Sequence, residues 1–163
     1  MAKKICIYGM LTALCMVLGY LESLLSLSFI APGIKPGLAN TVALLLIAQD
    51  DRMGALAVNV TRILLSALLF GNPMALLFSL SGGLASWAVM SGLSRLKKLS
   101  VLGVSITGGA VHNLFQLIAA TFVVGRGALF YLPVLLLFGG VCGALIGALA
   151  KIILKKMKTN GNF

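Results

Sequence analysis

Glu22, Asn59, Arg62, Ser66, His112, Asn113 and Gln116 are isolated polar residues in runs that are otherwise apolar. Asn59, Arg62 and Ser66 are spaced i, i+3, i+7, and His112 and Gln116 i, i+4, so each set falls on one face of a helix. Two such stripes can hold a polar solute, with Arg62 as the anchor for negative charge. An anionic vitamin, a nucleobase-like ring and a diphosphate headgroup all fit them. The same residues can also act as interhelical glue that locks packing, and both readings stand at this point. Glu22 is the one acid outside Asp50 and Asp51, so a Glu22–Arg62 contact is the cheapest way to satisfy both charges.

Other chemistries fit the chain poorly. Asp50-Asp51 begins like an Asp-rich magnesium–diphosphate motif, but Gly54 stands where the third aspartate would be, and three acids cannot surround hard cations. Cys6, Cys15 and Cys142 lack zinc-ligand or disulfide spacing, and His112 has no second histidine beside it. No nucleophile elbow, phosphate-binding loop or dinucleotide fingerprint occurs. The expectation is a chain without catalytic residues, metal site or cofactor. Energy for any transport must then come from a partner or an ion gradient.

The elements that position these residues are membrane helices. Of 163 residues, 60% are hydrophobic and 10% charged, and the mean hydropathy is +1.10. Those values belong to an integral membrane protein, not a soluble domain. The net charge of +10 falls at the ends of apolar segments and forms no basic stripe interleaved with aromatics, which argues against nucleic acid. The pattern predicts an all-α bundle of six transmembrane helices, at about 5–29, 36–49, 53–70, 74–93, 101–124 and 128–154, followed by a basic tail, 155–163, without fixed structure. The second segment is short and starts below the membrane surface, or the loop before it dips inward. Pro36 suits its first turn, and Asp50 or Asp51 suits the cap of the third.

Lysine and arginine set the orientation. With the N-terminus cytoplasmic, inside segments carry Lys3, Lys4, Arg52, Arg95, Lys97, Lys98, Lys151, Lys155, Lys156 and Lys158, and outside loops only Lys35 and Arg126. Both termini are therefore expected in the cytoplasm, and the Pro-Gly loop around residues 31–40 outside. The apolar N-terminal run has no cleavage site and contains Glu22, so it reads as a retained helix. Gly139, Gly143 and Gly147, and likewise Gly9 and Ala13, recur every four residues and allow close helix approach, either within the chain or to a separate membrane subunit.

The run Tyr20-Leu-Glu22-Ser23, then Pro32-Gly33-Ile34-Lys35-Pro36-Gly37-Leu38-Ala39-Asn40, Asn59-x-x-Arg62, Phe78-Ser-Leu-Ser-Gly82-Gly83 and His112-Asn113-Leu-x-Gln116 resembles the Gx transporter family, also labelled heptaprenyl diphosphate synthase component I. The likeness covers about residues 5–150, and departs where relatives commonly carry leucine and this chain carries Pro36. The family is similar in size and layout to the substrate-binding S components of energy-coupling factor transporters. That resemblance implies a bacterial cytoplasmic-membrane protein that captures a small micronutrient. It implies a pocket lined or gated by Glu22, Lys35, Asn40, Asn59, Arg62, His112, Asn113 and Gln116, with residues 31–40 as its lid. It also implies a docking face at Gly9 and Ala13 for a coupling subunit driven by two ATPases. The synthase label fits a different role, a non-catalytic membrane accessory of prenyl diphosphate or isoprenoid quinone synthesis.

Overall fold

A computed structural model describes residues 2–24, 37–70, 73–96 and 99–159. It is all-helical over these residues: α1 (Ala2–Leu24), α2 (Asn40–Ala48), α3 (Arg52–Phe70), α4 (Pro73–Leu93), α5 (Val101–Val124) and α6 (Leu132–Thr159). Short 3₁₀ helices, Ser94–Leu96 and Arg126–Tyr131, follow α4 and precede α6.

Among the described residues there are six α-helices, and five of them are long and apolar enough to cross a membrane. The exception is α2, whose 9 residues rise only about 13.5 Å, less than half of a hydrocarbon core of about 30 Å. It starts at Asn40, later than a Pro36 start would place it. Leu38 and Ala39 form a turn instead, closed by Asn40 N–H to Gly37 O at 2.8 Å and Thr41 N–H to Leu38 O at 3.0 Å. Gly37 has φ +81°, a conformation open to glycine without a Cβ penalty.

A helix apolar on every side has to be surrounded, and α2 is. Thr41, Val42, Ala43, Leu44, Leu46 and Ile47 are all buried. They pack with Cys15 of α1, Ala55 and Val58 of α3, Met90 of α4, Val104 of α5 and Ile146 and Ala150 of α6. The shortest helix is thus the hub of the bundle.

Its lower end turns sharply through Asp50, at φ +67°. Asp51 then caps α3, its Oδ1 accepting Gly54 N–H at 3.1 Å. Ser100 caps α5 in the same way through Gly103 N–H at 3.2 Å, and Pro73 opens α4, where its missing donor costs nothing.

Three contacts gather one end of the bundle. Tyr8 donates to Asp51, Trp87 Nε1 donates to Arg52 O at 2.9 Å, and Gln49 Nε2 contacts Met157 Sδ at 3.7 Å. The start of α1, the α2–α3 turn and the end of α6 therefore lie together, with Lys3, Lys4, Lys155, Lys156 and Lys158 exposed there. The helix continues through these last lysines to Thr159, where the sequence suggests an unstructured tail. Lysine is a good helix former, and its charge at a helix C-terminus is favourable.

The glycines of α6 pack inside the chain. A Cβ on Gly143 would lie 2.6 Å from Ser105 O, and one on Gly147 would lie 3.0 Å from Leu102 Cα, while Gly139 and Gly109 meet backbone to backbone. Gly9 has open space instead, and Ala13 is exposed.

Candidate functional site

The polar stripes of α3 and α5 meet the double glycine of α4. A Cβ on Gly82 would lie 2.7 Å from His112 O and 2.8 Å from Gln116 Cγ, and one on Gly83 would lie 3.0 Å from Asn59 Nδ2. The absence of side chains at Gly82 and Gly83 is what lets α3 and α5 bring amides against α4 from two sides.

Two of the amides act as glue. Asn59 Nδ2 donates to Gly83 O at 3.2 Å while its Oδ1 accepts Arg62 Nη2 at 2.8 Å, and Asn113 Nδ2 donates to Leu135 O at 2.9 Å, joining α5 to α6. Both residues are 4% exposed. Asn113→Ala is expected to lower stability by about 1 kcal/mol, the usual range for an interhelical hydrogen bond in a bilayer. Thermal unfolding in detergent measures it.

The charged pair is arranged differently from the simplest sequence expectation. Glu22, 5% exposed, accepts the backbone N–H of Leu38 at the turn into α2, and Arg62 turns to Asn59. Among the described residues the direct ion pair is Arg52–Asp50, at 2.6 Å. Arg62 Nε is buried with no hydrogen-bond partner among the described residues. A carboxylate at the start of a helix is favourable there, because the backbone N–H groups point outward from that end.

Asn40, His112 and Asn113 line one small cleft with Gly37, Cys142 and Ile146. It holds about 20 Å³, room for one water-sized occupant. Asn40, His112 and Asn113 are thus in one place, Glu22 adjoins them through Leu38, and, on α4, Gln116 packs on Gly82 while Asn59, hydrogen-bonded to Arg62, packs on Gly83. Lys35 lies outside the described residues.

Sequence reasoning did not place Cys142 or Gly109 at the site and read Gly139 only as a packing residue, though all three line the cleft. Four-residue spacing marks Gly139, whereas Cys142 carries no spacing that marks it.

The family model described as heptaprenyl diphosphate synthase component I matches residues 11–153. The chain belongs to that family. No curated protein and no solved structure matches it. The component I match runs from α1 through most of α6 and includes Ala13 and every candidate pocket residue; Gly9 lies just before it. In this component I chain the acids are spread over both ends of the bundle. Asp50 pairs with Arg52, Asp51 holds Tyr8 and caps α3, and Glu22 sits at the far end of α1. Among the described residues no three of His, Cys, Asp or Glu gather where a metal could be held.

Proposed function

We propose that this chain is a non-catalytic, S-component-like binding subunit of a membrane transporter, for a small micronutrient-type solute. The observations that carry the reading are two polar sets, Asn40, His112 and Asn113 at the cleft between α2, α5 and α6 and the Asn59–Arg62 pair on α3, with Glu22 buried at the turn into α2 and Arg62 Nε buried without a hydrogen-bond partner among the described residues. An ionisable group within a bilayer costs from about 2.5 to well over 10 kcal/mol, so function is the default reason for one. The cleft holds about 20 Å³, so in this reading a solute larger than water is accommodated by movement of the surrounding elements, the first turn of α2 among them.

In this reading the protein lies in a bacterial cytoplasmic membrane, with the basic end and both termini cytoplasmic. The excess of lysine and arginine at that end supports this. Native mass spectrometry of protein purified in mild detergent, with the co-purifying mass identified, tests solute capture. A chain that carries no solute and recovers none from an extract of its host would sink the proposal.

Gly9 and Ala13, on the open side of α1, are the proposed docking face for a membrane coupling subunit that works with two ATPases. Ala13→Trp is expected to reduce co-purification of such a subunit by about tenfold or more, the effect of losing 1.4 kcal/mol. Unchanged recovery would remove the face from consideration.

The family description favours a second reading, a membrane accessory of prenyl diphosphate or isoprenoid quinone synthesis. It requires a stable complex with a soluble prenyltransferase that bears the Asp-rich motifs missing here. An assay of that enzyme with and without this chain separates the two readings.

A further inference from the structure

Tyr8, Cys15 and Glu22 recur every seven residues on α1, about two turns apart, and so share one face. Each reaches a residue that brackets α2. Tyr8 Oη donates to Asp51 Oδ2 beyond its C-terminal end, Cys15 Sγ donates to Ala39 O at 3.6 Å, and Glu22 accepts Leu38 N–H before its N-terminal end. Asp51 is tied back to α2 by its own N–H, which donates to Leu46 O at 2.9 Å. The opposite face of α1 is exposed at Met10, Leu14, Val17 and Leu21. α1 therefore clasps α2 at both ends.

The clasp needs a close approach at the basic end. A Cβ on Gly54 would lie 2.7 Å from both Tyr8 Oη and Asp51 Oδ2. Between the two ends, α2 is a single buried rod, and its first turn carries Asn40 into the cleft beside Gly37.

We infer that Tyr8 and Asp51 are positioning residues for the solute site. Their hydrogen bond holds α2 in register along α1 and so sets where Gly37 and Asn40 stand in the cleft, although it lies at the other end of the bundle. The functional meaning rests on the solute-site reading above; the coupling itself does not.

Hydrogen exchange followed by mass spectrometry, on the full chain in lipid nanodiscs with no solute added, tests the inference. Tyr8→Phe deletes one hydroxyl, and Gly54→Ala wedges a methyl group into the same contact. Both are expected to raise exchange of the Leu38, Asn40 and Thr41 amides about fivefold, the effect of one lost hydrogen bond. Asp50→Asn, which breaks the Arg52 pair on the exposed side of the same turn, leaves those amides unchanged. Coupling is reciprocal, so Glu22→Gln is expected to raise exchange at Gly54.

Faster exchange confined to residues 50–56 in Tyr8→Phe and Gly54→Ala, or unchanged exchange at Gly54 in Glu22→Gln, overturns the proposal. No solute takes part, so failure here leaves solute capture standing. Failure of solute capture leaves the coupling standing.

Discussion

Gly143→Val is expected to force α5 and α6 apart and to lower the unfolding temperature by about 5–10 °C, corresponding to a cost of about 3 kcal/mol. The Cβ alone would lie 2.6 Å from Ser105 O and 2.8 Å from Ile106 Cα. Both neighbours are backbone, so no rotamer change relieves the clash and the helix axes have to separate. Separation also loosens the Gly109–Gly139 contact and the Asn113–Leu135 hydrogen bond one and two turns away. Gly140→Val is the control, because a Cβ there meets nothing within 4 Å. Thermal unfolding of both variants in the same detergent is the measurement. Equal unfolding temperatures would show that the α5–α6 contact is looser than these distances require.

Arg62→Ala is expected to weaken solute retention by about 10- to 100-fold, the range for a hydrogen bond to a charged group. The Asn59 contact uses Nη2, and the buried Nε is left with no hydrogen-bond partner among the described residues, so donor capacity remains for a solute. Arg62→Lys keeps the charge without the planar fork and should fall between the two. Solute occupancy by native mass spectrometry is read beside the unfolding temperature, which separates the two roles the sequence leaves open. An Arg62→Ala chain that unfolds earlier yet keeps parental occupancy identifies the arginine as glue. Lost occupancy at an unchanged unfolding temperature identifies it as a solute contact.

The amides show how a single residue type divides between these roles. Asn59 and Asn113 stand in apolar runs and Asn40 ends the Pro-Gly loop, and all three are candidate pocket residues in the sequence. In the folded chain Asn59 gives its donor to a carbonyl of α4 and Asn113 to one of α6, and Asn113 also borders the cleft, with Asn40 at a helix start opposite. Which carbonyl lies within 3 Å or so of an amide depends on helix crossing, and no spacing along one chain encodes that.

The three-way contact of α1 with α2 was legible in principle. Tyr8, Cys15 and Glu22 stand at heptad spacing on one face. Their partners are a carboxylate, a carbonyl and an amide N–H from residues far along the chain, and only the fold brings these within reach.

The sequence by itself determined the membrane class, the helix breaks, a cap at Asp50 or Asp51 and the placement of basic residues at segment ends. Those follow from local chemistry: apolar length, proline and glycine, and charge at segment ends. It also marked residues 31–40 as the interruption around which the chain turns. Tertiary structure decided that the short α2 after this interruption is surrounded by the other helices. It also decided that Glu22 meets Leu38 instead of Arg62, and that the glycines of α6 meet α5. Each of these depends on which helix faces which, a relation set by packing in three dimensions between residues that composition and periodicity treat alike.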